Sequence, residues 1–335
     1  MFDCYFFCLF LKVIVCLTVL VLLCVIGLRL WVGPGKGVCT SNARLDGKVA
    51  IVTGGSLGIG VETARDLARR GARVVIASRN AQKGNEVVAD IIATTKNPNV
   101  EYKTLDLSKF SSIIQFVKDF NDNYERLDIL VNNAGVAGIR QTNTEDGIEK
   151  IMQINYVGPF FLTRLLLDKL KASKPSRIVI VSSVAHRSHK LDPNDIIGKR
   201  PLDFWSRYAN SKVCNIMWAK ALAKRLPEGI TVNSLNPGLV KTDIFHRYSK
   251  LRKMIINIFI DIFFKTPVEG AQTTLHLCVA PELEHISGKY FSDCKIEEPH
   301  KIVKDESVVE KVWENTMLLI KDKLNDKEYK LEIST

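Results

Sequence analysis

The run Val49-Ala50-Ile51-Val52 passes directly into Thr53-Gly54-Gly55-Ser56-Leu57-Gly58-Ile59-Gly60, then into a stretch of helical spacing, Val61 to Arg70, that stops at Gly71. Four consecutive apolar residues without polar alternation suit a strand buried on both faces, the condition of a parallel sheet. Strand, glycine turn and helix in that order give the glycines separate tasks. One makes the tight turn, one lets the backbone approach a pyrophosphate, and one lets the helix pack closely on the sheet. The helix amino terminus then offers unpaired N–H groups to phosphate. Thr53, Gly54, Ser56, Gly58, Ile59 and Gly60 are therefore the expected cradle of a dinucleotide. The next apolar run, Arg73 to Ala77, arrives at the interval such a unit needs, and Ser78-Arg79 stand at its end. A free ribose 2′-hydroxyl at that place usually meets an acid, whereas a hydroxyl and a guanidinium suit a 2′-phosphate. The expected cofactor is NADP(H), against the plainer reading of Arg79 as a surface arginine.

The alternation continues along the chain. Val100 to Leu105 reads as a strand ending at Asp106, Phe110 to Phe120 as a helix, and Leu127 to Val131 as a strand entering Asn132-Asn133-Ala134-Gly135. Glu149 to Leu170 is a long helical stretch with Asn155 inside it. Ile178 to Val181 is a strand ending in Ser182-Ser183, Tyr208 to Arg225 a helix, and Ile230 to Leu235 a strand ending in Asn236-Pro237-Gly238. Such alternation specifies an α/β fold, a doubly wound parallel sheet of Rossmann type, with its chemistry at the carboxyl ends of the strands.

Tyr208 and Lys212 lie four apart on their helix, hence one turn above each other on one face. A phenol of pKa about 10 is a poor acid or base at neutral pH, and a neighbouring cation favours its ionised form. Bringing it near 7 takes about 4 kcal/mol of differential stabilisation. In isolation the spacing is equally that of an amphipathic helix with an exposed lysine; its company at the strand ends makes it a candidate site.

The amino terminus is different in kind. Cys4 to Leu28 is apolar except for Lys12, long enough to cross a bilayer of about 30 Å as a helix. The start Met1-Phe2-Asp3 and the following Arg29-Leu30-Trp31 do not suit a cleaved signal peptide. Residues 1–32 are read as a retained single-pass anchor. Arg29, Lys36, Arg44 and Lys48 follow it and place the remainder in the cytosol. Residues 33–45 form a Gly/Pro-rich linker, 46–300 the catalytic domain with a substrate lid near 243–270, and 301–335 a charged helical tail with one amphipathic helix near Val308 to Leu324. The eight cysteines show no metal-ligand spacing outside the anchor, and no metal is expected. The formal charge of +11 suits an anionic membrane surface and an anionic cofactor, and no nucleic-acid motif accompanies it. Leu251 to Phe264 is too short and charged to span a bilayer and suits an interfacial helix, the roof of an apolar pocket, or a core or dimer contact.

Taken jointly, Thr53-x-x-x-x-Gly58-x-Gly60, Asn132-Asn133-Ala134-Gly135, Asn155, Ser183, Tyr208-x-x-x-Lys212 and Asn236-Pro237-Gly238 resemble the short-chain dehydrogenase/reductase family. Within it the chain is most similar to the membrane-anchored, NADP-dependent retinol dehydrogenases, over roughly Gly37 to Cys294, with Ser182-Ser183-Val184-Ala185-His186 and Ser287-Gly288-Lys289-Tyr290-Phe291-Ser292-Asp293-Cys294 as particular marks. The resemblance implies Tyr208 as general acid or base, Lys212 as its partner and ribose ligand, Ser183 on the substrate oxygen, and Asn155 as holder of a water. It implies Asp106 facing the adenine, Asn133, Ala134 and Gly135 on the adenosine side, and Pro237, Gly238 and Thr242 about the nicotinamide. Ser182 is the alternative hydroxyl, Asn155 could instead cap or bend its helix, and His186 is a candidate by proximity alone. The implied activity interconverts a retinoid-like or other lipophilic alcohol and its aldehyde or ketone at the endoplasmic reticulum membrane. The implied partners are a small lipophilic substrate, membrane lipid and a second copy in a homodimer. The other readings are a reductase of steroids or lipid-derived carbonyls, and a catalytically inactive NADP-binding membrane scaffold.

Overall fold

Eight strands form one sheet in the order β3-β2-β1-β4-β5-β6-β7-β8. They are β1 (Val49–Thr53), β2 (Arg73–Ser78), β3 (Val100–Thr104), β4 (Ile129–Asn132), β5 (Ser176–Val181), β6 (Ile230–Asn236), β7 (Tyr290–Ser292) and β8 (Lys295–Ile296). All pair in parallel except β8, which turns back antiparallel on β7. The computed structural model describes residues 10, 12–20, 23–24, 27, 37–241 and 264–324. Much of the expected anchor, most of the expected lid, and Thr242 lie outside the described residues. Those described within the anchor are helical and exposed; among all described residues no helix is long and apolar enough to cross a membrane.

Every residue of β1, β4 and β6 is buried, which is why these runs show no polar alternation. Successive side chains divide between two cores. Ile51, Val75, Leu130 and Ile178 face one, with Phe116, Leu166, Trp218 and Trp313; Ala50, Val52, Val74 and Val131 face the other, with Leu67, Ile91 and Leu275. The helices are α1 (Gly58–Arg69), α2 (Ala81–Thr95), α3 (Phe110–Asn123), α4 (Gly158–Ala172), α5 (Phe204–Ala223), α6 (Pro267–Val279) and α7 (Glu306–Leu324). Two of them lie beyond the sequence reading, though both carry start signals. Asn80 caps α2 by accepting from the Lys83 N–H, and Thr266 with Glu269 forms a capping box on α6. The carboxy-terminal α7 lies against α5. Its Trp313 meets Phe160 edge-on at 5.1 Å, and its Thr316 hydroxyl lies 2.7 Å from the Tyr156 hydroxyl.

The strand order reverses between β1 and β4, since β1 leads outward to β2 while β4 leads the other way to β5. In open α/β sheets that reversal leaves a crevice beyond the carboxyl ends of the two strands. The glycine turn and Asn132-Asn133-Ala134-Gly135 are the two loops that flank it.

Candidate active site

Thr53 ties the two loops together. Its buried hydroxyl donates to the Val131 carbonyl at 3.2 Å and accepts the N–H groups of Asn133 and Ala134 at 3.0 and 3.1 Å. Asn133 returns the contact, its amide donating to the Thr53 carbonyl at 2.9 Å. The space between is narrow: a Cβ on Gly60 would sit 2.4 Å from the Gly54 carbonyl oxygen, and Gly54 itself has φ +65°. A side chain at either position would push the turn off the helix. Leu57 precedes α1 without a side-chain cap, so the end of the helix faces the crevice with its main chain.

At the end of β2 the Ser78 hydroxyl is buried and has no hydrogen-bond partner among the described residues. Exposed Arg79 follows it, lining a cleft of about 320 Å³ with Val136, Ile139, Arg140, Thr142, Lys150 and Ile154. An unmatched hydroxyl beside cations fits a phosphate of a dinucleotide. Asp106 turns inward, its carboxylate accepting from the Ser108 N–H and hydroxyl at 2.9 and 2.6 Å.

The candidate catalytic residues gather beyond the ends of β4, β5 and β6. Burial raises the Tyr208 phenol above its ordinary value, opposed by a hydrogen bond with the Ser183 side chain. Lys212 is 3 % exposed and lies 5.5 Å from the Tyr208 ring centre, its ammonium donating to the Val181 carbonyl at 3.0 Å. Burial pulls its pKa down to about 8. Helical spacing alone predicts a lysine that lowers the phenol; in the folded chain desolvation acts on both, and in opposite directions. Of the two serines, Ser182 donates to the Lys212 carbonyl at 2.7 Å and is directed into α5, leaving Ser183 at the phenol. Gly135 passes between the partners: a Cβ there would lie 3.4 Å from the Lys212 ammonium and 3.5 Å from the Asn155 amide oxygen.

Asn155 is 1 % exposed, and both ends of its amide are hydrogen-bonded. Its Oδ1 accepts from the Val136 N–H at 2.8 Å, and its Nδ2 donates to the Val136 carbonyl at 2.9 Å and to the Ser211 hydroxyl at 3.1 Å. The helix around it, Gln153–Val157, is π-helical, between an α-turn at Lys150–Met152 and α4. The signal for this is Pro159, which lacks the N–H that would meet the Asn155 carbonyl and whose ring crowds it. A buried pair, Arg207 to Glu149 at 2.6 Å, fixes the start of α5 beside Tyr208, and Arg207 also donates to the Ile139 carbonyl at 3.0 Å.

Asn236 orders the turn after β6. Its Oδ1 accepts from the N–H groups of Val184 and Gly238 at 3.2 and 3.1 Å, linking Pro237-Gly238, with Gly238 at φ +84°, to the Ser183 loop. Beneath this turn lies Lys265. It bridges Val240 on the far side of residues 242–263, its side chain is 4 % exposed, and its ammonium pairs with Asp293. Asp293→Asn is expected to strand that charge and cost roughly 3 kcal/mol. A melting curve would register this as a drop of several degrees, and an unchanged midpoint would show the pair to be dispensable.

Sequence reasoning passes over four exposed apolar residues that adjoin the candidate set along the chain: Val184 follows Ser183, Phe204 and Trp205 open α5 ahead of Tyr208, and Leu239 follows the Pro237-Gly238 turn. The Trp205 ring centre is 6.1 Å from that of Tyr208.

The comparisons with known proteins agree with this geometry. The short chain dehydrogenase family model matches residues 48–253. Mouse retinol dehydrogenase 11 is 43% identical over 280 residues, covering 83% of this chain and 88% of that protein. Human retinol dehydrogenase 12 is 42% identical over 278 residues, covering 83% and 87%. Among solved structures, Pseudomonas aeruginosa RhlG in an NADP active-site complex superposes with a TM-score of 0.60 at 27% identity, over 74% of this chain and 95% of that one. A family model that spans more than half of the chain, and retinol dehydrogenases 42–43% identical over 83% of it, lead to one conclusion: the chain belongs to the short-chain dehydrogenase family.

Proposed function

We propose that the protein is a membrane-anchored, NADP(H)-dependent oxidoreductase that interconverts a retinoid-like or other lipophilic alcohol and its aldehyde or ketone. The observation carrying this reading is the meeting of Tyr208, Ser183 and Lys212, with the exposed Trp205 ring centred 6.1 Å from that of Tyr208. The retinol dehydrogenase relatives support the substrate class. The exposed apolar side chains among residues 13–20 support the anchor, and the basic residues behind it support a domain facing the cytosol.

In this reading Ser78 and Arg79 hold the 2′-phosphate, the glycine turn the pyrophosphate, and Lys212 the nicotinamide ribose. The bound cofactor supplies the hydride. Ser183 donates a hydrogen bond to the substrate oxygen and stabilises the charge that develops there. Tyr208 gives that oxygen a proton in reduction and takes one in oxidation. Lys212 stabilises the phenolate left behind, and Asn155 holds the loop at Val136 against the site. Reduction is the favoured direction in a cytosol that keeps NADPH reduced.

Loss of NADPH absorbance with retinal and a panel of lipophilic ketones and aldehydes tests the reading. Turnover of retinal is expected; turnover of steroids alone would move the substrate class. Tight NADPH binding with no turnover would favour an inactive scaffold. Arg79→Asp is expected to raise KM for NADPH at least tenfold, with little change for NADH, since an Arg–phosphate hydrogen bond contributes about 1.5–3 kcal/mol. An unchanged ratio of the two would remove Arg79 from the phosphate.

A further inference from the structure

We propose that His186 is a positioning residue for Ser183, holding the peptide that follows the serine and fastening it to the carboxy-terminal segment at His300. The inference rests on the role given to Ser183 above.

His186 is fully buried in the short 3-10 turn Val184–Ser188, which begins at Ser183. Its Nδ1 lies 2.8 Å from the Ser183 carbonyl oxygen, and its Nε2 accepts the backbone N–H of His300 at 3.1 Å. A carbonyl only accepts and a backbone N–H only donates. The neutral ring with its proton on Nδ1 is the one form that satisfies both. Burial, which lowers the pKa of this imidazole, favours the same form. Both nitrogens are engaged by main chain, so the ring shuttles no proton in the reaction. The edge of the Tyr290 ring, centred 5.0 Å away, packs against it.

The Ser183–Val184 peptide is thereby gripped at both ends. Its carbonyl receives the ring N–H and also the main-chain N–H of His186 at 3.1 Å, while its own N–H reaches Asn236 Oδ1 at 3.2 Å. The plane of that peptide sets the direction of the Ser183 side chain, which accepts from the Ala185 N–H at 3.2 Å and meets Tyr208. A displacement of about 1 Å at a reacting group costs on the order of a hundredfold in rate. The fixed peptide thus matters for turnover and not only for folding.

Two substitutions separate the ring's two bonds. His186→Asn presents an amide N–H where Nδ1 stands and does not reach His300. His186→Gln reaches His300 with an acceptor and presents no donor to Ser183. We expect His186→Gln to keep the melting temperature nearer to wild type while kcat falls about tenfold to a hundredfold, with KM for NADPH unchanged. His186→Asn should recover most of that kcat despite a lower melting temperature. Activity that instead follows melting temperature through the series would reduce His186 to a buried anchor and overturn the inference. Hydrogen exchange at the Val184 and Ala185 amides gives a readout free of turnover: faster in the Gln variant and slow in the Asn variant supports the grip, and equal rates in both refute it. A wild type that turns over no carbonyl would overturn the enzymatic reading, and exchange alone would then decide whether the serine peptide is held.

Discussion

Tyr208→Phe is expected to lower turnover by about 10² to 10⁴-fold while NADPH binding stays within about twofold, because a positioned general acid contributes on that scale. The ring fills the same space without its hydroxyl, so the contact with Trp205 at 6.1 Å is kept and the Ser183 partner is lost. Stopped-flow or steady-state NADPH oxidation, beside fluorescence titration of NADPH, measures the two quantities. A variant that turns over at the wild-type rate would mean that the proton comes from another group. With its phenol pushed up by burial, the chain by itself holds the proton through neutral pH, which suits the reductive direction. Oxidation needs the proton removed, and the positive charge that helps arrives with the oxidised nicotinamide.

Lys212→Met should abolish activity to a similar extent and at the same time stabilise the fold. The ammonium is buried with a single carbonyl, that of Val181, at 3.0 Å and no carboxylate partner among the described residues. Its pKa falls from 10.5 to about 8 through desolvation. That fall corresponds to about 3 kcal/mol of penalty on the charged form at neutral pH. The sign follows from proton counting: between about pH 8 and 10.5 the unfolded chain binds the proton and the folded chain does not, so stability rises with pH across that window. Below it the penalty is present in full. At pH 7 methionine removes it, and the Val181 carbonyl keeps the Asn215 amide at 3.3 Å. A rise of roughly 5–10 °C in melting temperature is expected for the variant, shrinking toward zero at pH 10. A lower melting temperature at pH 7 would show that the ammonium stabilises its surroundings instead. Such a trade of stability for activity is characteristic of reacting groups held in dry sites.

Local chemistry made much of the site readable. The glycine turn declares itself because Gly54 and Gly58 need positive φ and Gly60 admits no side chain, all within eight residues of a strand. The pairing of Tyr208 with Lys212 follows from helical period alone. Proline chemistry at Pro159 carried the π-helical turn at Asn155, although a periodicity reading passes over it. The choice between Ser182 and Ser183 was open, because strand alternation assigns them to opposite faces without saying which face holds the phenol. The Lys212 carbonyl takes the Ser182 hydroxyl across 30 residues, which leaves Ser183 as the candidate. His186 and His300 are 114 residues apart, and no local pattern joins them.

By itself the sequence determined the alternating α/β architecture, the loops at the strand ends and the candidate residues carried there, since each depends on backbone propensity or on residues a turn apart. Tertiary structure alone decided the protonation balance of the Tyr208–Lys212 pair, the inward turn of Ser182 and the grip on the Ser183 peptide. Desolvation and long-range hydrogen bonds depend on which distant segments cover a group, and that is settled only when the sheet and its two helical layers close over it.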